Sequence, residues 1–461
     1  MAAGEGTRMH SSLPKVLHPV CGRPMVAWPI LAAAEAGADR IAVIVSPKLE
    51  QQDIAAALPQ GAEAVVQPRP DGTGGAVRAA LGAVREAGTV VVLNGDHPLV
   101  TAELIERVVG VHRDGGAAAT VVTVERDDAE SLGRIVRDDG GEFERIVETK
   151  HLQGVPEDVL AITEVNTNTF VFEGAALADA LERISDDNAA GEYYIGDTLT
   201  VLREQGKRVL AHRESDVSVN VGVNNRAELA AVNTEARRRI LEAHMIAGVT
   251  VTDPGATWVD ADVELAADAT IEPGTSLRGR TVVGAGSVVG PITTLIDCEL
   301  GERVHVPHSY LVECEVLDGC SVGPFAYIRP QTVLAEGAKA GSFVEIKNSR
   351  IGEGAKVPHL SYVGDTEIGR GTNVGAGSIT ANYDGFRKHR TVIGEHCRIA
   401  VDTMFVAPVS IGDGAYTGAG TVVRKDVPPG ALAVPHESRQ RHIEGYAERK
   451  AKQAEQDEKK S

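Results

Sequence analysis

Ile393-Gly394-Glu395-His396-Cys397-Arg398-Ile399-Ala400-Val401-Asp402-Thr403-Met404-Phe405, continued to Ile411, places an apolar residue at every sixth position. The same interval separates Ile271, Leu277, Val283 and Val289, then Val322, Ile328 and Leu334, then Ile368 and Val374. Short runs such as Ile368-Gly369-Arg370-Gly371-Thr372-Asn373 and Ile411-Gly412-Asp413-Gly414-Ala415-Tyr416 repeat one plan: an apolar residue, then Gly, with a small residue further on. Ordinary alternation of a half-buried strand has period two, so it does not generate a period of six. A hexapeptide period reads as a parallel β-helix. Each hexad supplies one short strand and a corner, and three hexads close a triangular coil. The apolar residue points inward, and Gly or Asn relaxes the corner.

The hexads resemble the left-handed hexapeptide-repeat acyltransferases, a fold that departs from the right-handed crossover rule. That resemblance implies a homotrimer with acyl-donor sites between adjacent prisms. The repeats run from about Val249 to Val434. The segment Ala381–Arg390 (ANYDGFRKHR) breaks the period, and a polar insertion in a solenoid maps to an external loop on the functional face.

Composition fits this organisation. At 461 residues the chain exceeds one ordinary domain, and its 43% hydrophobic content suffices for full cores. Glycine, at 50 residues, is enriched as a many-cornered solenoid requires. A formal charge of −19 argues against general nucleic-acid binding or adhesion to anionic membranes. Anionic small substrates remain open if a few Arg and Lys converge. The five cysteines (Cys21, Cys298, Cys314, Cys320, Cys397) form no CxxC pair and point to reduced thiols in a cytoplasm. There is no signal-peptide pattern and no long apolar span.

The chain opens Met1-Ala2-Ala3-Gly4-Glu5-Gly6-Thr7-Arg8-Met9, followed by Pro14-Lys15. A Gly-rich turn brings backbone N–H groups close to phosphates, and Arg8 and Lys15 add positive charge. An α/β alternation follows: a helix over 24–36 with Pro29 as a kink, a strand at Ile41–Val45, a helix over 48–58, and a strand at 64–66 leading to Gln67. Gly72-Thr73-Gly74-Gly75 opens the next helix, and a strand at 90–93 ends in Asn94-Gly95-Asp96. A carboxylate just past a parallel strand's C-terminal end lies where open α/β sheets bind ligands. There Mg²⁺ takes hard oxygens from one or two protein groups and shares phosphates. Residues 226–247 have helical composition and read as a connecting helix. His436 to Ser461 is strongly charged and reads as a solvated, disordered tail.

Together with Leu132-Gly133-Arg134, Ile146-Val147-Glu148, Val165-Asn166-Thr167, Glu192-Tyr193-Tyr194 and Val223-Asn224-Asn225-Arg226, these motifs resemble in order and spacing one bacterial family: the bifunctional N-acetylglucosamine-1-phosphate uridyltransferase/glucosamine-1-phosphate acetyltransferase. The resemblance covers nearly the whole chain. It implies a Rossmann-like nucleotidyltransferase domain (1–226), a linker helix (227–248), a left-handed β-helix acetyltransferase domain (249–436) and the tail (437–461). It implies the co-substrates UTP and acetyl-CoA, the acceptor glucosamine 1-phosphate, and Mg²⁺ on Asp96 and Asn224. By motif position Ala2, Ala3, Gly4, Lys15, Gln67, Gly72, Thr73, Asn94 and Gly95 contact the nucleotide, Gly133, Glu148 and Asn166 hold N-acetylglucosamine, and Arg8 and Lys15 assist phosphoryl chemistry. In that family an apolar strand runs directly into the first loop. Here Met1 stands where its last residue should be, so neighbouring strands are expected to lose backbone partners.

In the repeats, transfer of an acetyl group to an amine needs a base titrating near neutrality and cations for the sugar phosphate. The resemblance assigns His359 as general base and Arg329, Lys347, Tyr362 and Asn373 to glucosamine 1-phosphate. It assigns Ala376, Asn382, Tyr383, Val401 and Ala419 to acetyl-CoA, with a basic residue at His436 or Arg439. Two rival readings stand beside it. One is a single-activity sugar nucleotidyltransferase, like ADP-glucose pyrophosphorylases, with a structural or regulatory β-helix. The other is a hydratase-class prism binding zinc through His305, His308 and His359.

Overall fold

The computed structural model describes residues 1–435 except 5, 50–53, 55–56, 128, 130–131, 150–154 and 189–190, and beyond these 444–449, 452 and 456; of Asn220 only the backbone is described. The chain divides into two compact units, Met1–Ala243 with Val259–Asp262, and His244–Trp258 with Val263–Ser461.

The first unit is built on a mixed sheet. Its strands run in the order Val209–Arg213, Ala119–Glu125, Glu164–Glu173, Arg134–Arg137, Phe143–Val147, and Thr89–Val92 also pairs with Glu164–Glu173. The ten-residue strand Glu164–Glu173 is antiparallel to Ala119–Glu125 on one edge. On its other edge it is antiparallel to Thr89–Val92 and, at Val165, to Arg134. The strand before Asp96 is therefore not part of an all-parallel sheet. Its parallel neighbour is Met1–Ala2: Met1 N donates to Leu93 O (2.6 Å), Gly95 N to Met1 O (2.7 Å) and Ala2 N to Ile44 O (2.7 Å). The carbonyls of Leu93 and Ile44 are thus partnered, against the expectation of orphaned groups there. Ala2 is buried with Val16, Val26, Ile30, Val43 and Val45. Phe143, Phe170 and Phe172 anchor a second core cluster.

Two helix expectations change. The first helix spans Ala27–Glu35, which puts Pro29 in its first turn. N–H groups there have no intrahelical acceptor, so proline removes no bond and makes no kink. Of the helix expected over 48–58, most lies outside the described residues; Leu58 N donates to Ile54 O (3.0 Å). The helix read over 226–247 spans Arg226–Ile246. Arg239 pins it through bonds to Leu99 O (3.0 Å) and Asp216 (3.0 Å).

The second unit is a prism of three parallel sheets with eleven, ten and nine strands. Apart from the last step, where Tyr416 lies opposite Leu432 two strands on, each strand pairs with the strand three places on: Ile271 lies opposite Val289 and Leu277 opposite Leu295, an 18-residue step of three hexads. Every apolar residue that defined the repeat points inward, and none exceeds 3% exposure. The coil carrying 381–390 takes 25 residues (Thr366 opposite Thr391), where the coil before takes 17 (Arg350 opposite Glu367).

The corners are a correction. Gly and Asn do not turn all of them. One column of corners is Ile292, His308, Phe325, Phe343 and Leu360, with φ between 45° and 62°. Backbone bonds from coil to coil hold this left-handed geometry: His308 N to Pro291 O (2.9 Å), Phe325 N to His308 O (2.8 Å), Phe343 N to Phe325 O (3.1 Å). Phe325 lies tilted against His308 (5.5 Å) and stacked on Phe343 (5.4 Å), which shelters part of their exposed surface. At another corner column glycine is required by space. A Cβ on Gly369 would stand 2.5 Å from the carbonyl carbon of Gly394, and one on Gly352 2.7 Å from Arg370 N. Gly369→Ala is expected to destabilise the prism by about 1–3 kcal/mol, the usual cost of overpacking. Urea unfolding followed by circular dichroism would show it, and an unchanged midpoint would refute the steric reading.

Candidate active sites

The first site grows from four short segments. Gly6, at φ +62°, packs directly on Lys15; a Cβ there would lie 2.5 Å from Lys15 Cβ. Both features demand glycine, and together they set Lys15 over Asp96. Lys15 Nζ donates to Asp96 Oδ2 at 2.5 Å. Burial alone would raise the Asp96 pKa, but the neighbouring His97 and Lys15 outweigh it and hold the carboxyl below its ordinary value. Val223 N donates to Asp96 O (3.0 Å), which brings Asn224 alongside, and Arg8 Nη2 donates to Asn224 Oδ1 (2.9 Å). Arg8, Lys15, Asp96 and Asn224, scattered over more than 200 positions, thus meet at the end of strand Thr89–Val92. Asp96 and Asn224 offer two hard oxygens, each already facing a cationic side chain. That donor set fits Mg²⁺ completed by phosphate oxygens.

Beside it, Gly72 (φ +96°) opens the helix Gly72–Arg78. Gln67 Nε2 donates to Asp71 Oδ1 (2.8 Å) and Gly72 O (3.1 Å). Thr73 Oγ1 accepts from Ile195 N (3.0 Å), and Gly74 N donates to Tyr193 O (2.7 Å). The 192–195 segment therefore covers the Gly-rich turn. Its Tyr194 phenol is pushed up by burial and by Glu192, Glu148 and Asp197 nearby. Glu148 also adjoins Gly133, whose added Cβ would lie 3.4 Å from Glu148 Oε1, and Asn166 N donates to Gly133 O (2.9 Å). Gly133, Glu148 and Asn166 so form one group with Tyr194. In the first loop Ala3 is half-buried and Gly4 exposed, and Asn94 O accepts from His97 N (3.3 Å).

On the prism, one rail of the ten-stranded sheet aligns Arg329, Lys347, Gly364 and Ala381, and the next aligns Tyr327, Glu345, Tyr362 and Ile379. Arg329 Nη1 donates to Glu345 Oε1 (2.7 Å). Lys388, from the insertion, comes close enough to Lys347 to lower its pKa, with partial burial and the charge of Arg329 acting in the same direction. Behind them the buried Asp365 accepts from Asn348 Nδ2 (2.6 Å) and Asn382 Nδ2 (2.5 Å), and Asn382 also reaches Tyr362 OH (3.5 Å). Three cationic side chains thus stand together, one of them paired with Glu345, beside the hydrogen-bonded Asp365 carboxylate, a cluster whose chemistry suits an anion. His359 is exposed at the end of strand Lys356–His359, around the corner from Tyr362; its carbonyl accepts from Ser361 Oγ (2.7 Å). Asn373 pairs opposite Lys356 in the same sheet as His359.

Ala376, Val401 and Ala419 stack at a different corner: Asp402 N donates to Ala376 O (2.7 Å) and Gly420 N to Val401 O (3.0 Å). Within one chain, then, Arg329, Lys347 and Tyr362 gather on one sheet, Asn373 lies on the neighbouring sheet with His359, and the residues that the resemblance assigns to acetyl-CoA divide between this corner and the insertion. His436 and Arg439 lie outside the described residues. The zinc reading loses its geometry. The backbone bonds from His308 to Phe325, Phe325 to Phe343 and Ser342 to Leu360 put His359 three coils beyond His308, roughly 14 Å at the usual strand spacing.

Several site residues escaped the sequence reading. Lys388, Glu345, Asn348, Asp365, Asp71 and His97 look individually like solvated loop or turn residues. The charge run Arg387-Lys388 inside the period break was the available signal for Lys388.

Comparison with known proteins agrees with this geometry. Residues 1–199 match the MobA-like NTP transferase domain, and residues 390–425 match the bacterial transferase hexapeptide (six repeats). The chain thus joins a nucleotidyltransferase to a hexapeptide-repeat acyltransferase on the prism. It is 46% identical over 457 residues to the bifunctional protein GlmU of Mycobacterium tuberculosis (strain ATCC 25177 / H37Ra), covering 98% of this chain and 92% of that protein. It is 47% identical to the GlmU proteins of Kineococcus radiotolerans (97% of this chain, 90% of that one) and Streptomyces avermitilis (98% and 93%). The chain belongs to the bifunctional GlmU family, and is an enzyme of UDP-N-acetylglucosamine synthesis with uridyltransferase and acetyltransferase activities.

Proposed function

We propose that residues 249–436 acetylate glucosamine 1-phosphate, residues 1–226 then uridylylate the product, and residues 227–248 connect them, with 437–461 a solvated tail. The convergence of Arg329, Lys347 and Lys388 beside Tyr362 carries this reading, because inert hexads have no use for three adjacent cations. Those cations bind the substrate's phosphate. His359 removes a proton from the sugar amine as its nitrogen attacks the thioester carbonyl of acetyl-CoA; the C–S bond breaks and coenzyme A leaves. Ala376, Val401 and Ala419, with Tyr383 and Asn382, hold the acyl donor. Their division between two places on one chain supports a homotrimer whose donor site lies between prisms.

In the first unit Gln67, Gly72 and Thr73 hold the uridine, and Gly133, Glu148 and Asn166 the N-acetylglucosamine. Asp96 and Asn224 would hold Mg²⁺, which supplies charge neutralisation on the triphosphate. Arg8 and Lys15 position the phosphates for attack by the sugar phosphate oxygen on the α-phosphorus, with pyrophosphate leaving. The chemistry is positioning and electrostatics, without a protein nucleophile. Among the described residues no helix is long and apolar enough to cross a membrane; reduced cysteines and nucleotide substrates fit a cytoplasmic enzyme.

Lys347→Ala is the direct test. Losing one charge-assisted contact to the phosphate should raise KM for glucosamine 1-phosphate roughly 10- to 100-fold. Uridylyl transfer to supplied N-acetylglucosamine 1-phosphate should be unaltered. An unchanged KM would remove the anion site from the mechanism.

A further inference from the structure

The insertion carries Lys388 toward Lys347, where two ammonium groups repel; Arg390 at its end pairs with Glu367 of the prism (3.1 Å), but that contact does not shape the tip. Its own bonds do. At its base His389 N donates to Asn382 O (2.8 Å), Tyr383 bridges Lys388, and Asn382 is tied by its side chain to buried Asp365 (2.5 Å). At its tip Asp384 Oδ1 accepts from Phe386 N (2.8 Å) and Arg387 N (2.7 Å). The other oxygen, Oδ2, faces His389 Nε2 at 2.7 Å. A carboxylate only accepts, so Nε2 carries the proton in this contact. One carboxylate therefore closes the turn ahead of Lys388 with one oxygen and grips the residue after it with the other. These bonds, with the imidazole contact, hold the Asp384 carboxyl down at about 2.

We propose that the Asp384–His389 pair is a latch that positions Lys388 against Lys347 and Arg329, making His389 a positioning residue for recognition of the sugar phosphate. The proposal rests on the reading of that cluster as the glucosamine 1-phosphate site. The pair is exposed, so as an isolated interaction it contributes little. Its effect comes from position: with both ends of the turn fixed, Lys388 meets the phosphate in place instead of being drawn in from solvent, and binding does not bear the cost of ordering the loop. Phe386, 92% exposed at the tip, gains nothing from this conformation by burial, so the polar bonds account for the loop's shape.

The full-length chain tests the latch. His389→Ala is expected to raise KM for glucosamine 1-phosphate about two- to fivefold, the scale of an exposed but geometrically fixed pair, with kcat near the parent value. Inhibition by inorganic phosphate, competing for the same cations, should weaken in parallel. His389→Gln, which can still offer an N–H to Oδ2, should restore most of the loss. Uridylyl transfer serves as the folding control. If His389→Ala keeps the parent KM while Lys347→Ala raises it, the site stands and the latch is wrong. If Lys347→Ala also keeps the parent KM, the cluster is not the phosphate site and the proposal falls with it. A fall in kcat and melting temperature without rescue by glutamine would make His389 a structural residue and overturn the latch.

Discussion

His359→Ala is expected to slow acetyl transfer by roughly 10²–10⁴-fold, the usual loss when a general base is removed, and to leave uridylyl transfer unchanged. The backbone at this point is fixed by the fold. His359 ends a strand whose Ser342 partner lies in the preceding coil, its carbonyl accepts from Ser361, and Leu360 turns the corner at φ +48°. The imidazole, in contrast, is exposed and contributes nothing to the core. Alanine there should neither open a cavity nor remove a structural bond, so a large loss of rate reports chemistry. The assay is single-substrate variation of glucosamine 1-phosphate and acetyl-CoA, with circular dichroism as the folding control. Near-normal kcat in a folded variant would return His359 to the surface residues of a corner and reopen the reading of the prism as a structural or regulatory appendage.

What could be read without coordinates follows from how each feature is encoded. The hexads were legible because an 18-residue coil repeats its inward side chain at fixed chain intervals, as Ile271 to Val289 shows. The nucleotide site was legible through the order of its motifs, although Asp96 and Asn224 meet only because Val223 N finds Asp96 O. Strand direction has no such trace. The apolar run Phe170-Val171-Phe172 gives no sign that it lies antiparallel to both neighbours. The cation cluster proposed to bind the sugar phosphate was half legible: Arg329 and Lys347 stood among the hexads, but Glu345, Asp365 and Lys388 join them across coils, so their partners are not near in sequence. Corners were misread because coil-to-coil bonds hold Phe325, Phe343 and Leu360 in a conformation that local preference assigns to glycine.

Asp96→Asn should suppress uridylyl transfer by at least roughly 10²–10³-fold, the scale of losing one preorganised electrostatic contact at a reacting centre. Acetyl transfer should continue, since its residues all belong to the other unit. Asparagine preserves the shape and one acceptor oxygen, so the backbone bond from Val223 to Asp96 O and the approach of Asn224 should survive. What is removed is charge. Lys15 then loses its 2.5 Å counter-ion, and a divalent cation its one ionised ligand at the pair. The pH dependence has a definite sign. Because His97 and Lys15 hold the carboxyl below its ordinary value, Asp96 stays ionised as pH falls through the usual carboxylate range of about 4, and protonates only below it. An acid limb of uridylyl activity above pH 4 must then come from another group, and it should keep its midpoint in residual Asp96→Asn activity. Asn224→Ala separates metal ligation from the Lys15 contact: it leaves that ion pair intact, removes Arg8's partner, and should still impair uridylyl transfer. Raised Mg²⁺ should partly recover Asn224→Ala and do less for Asp96→Asn, where the charge itself is missing. Full uridylyl activity in Asp96→Asn, or loss of both activities in folded protein, would refute the assignment of this carboxylate to the nucleotide site.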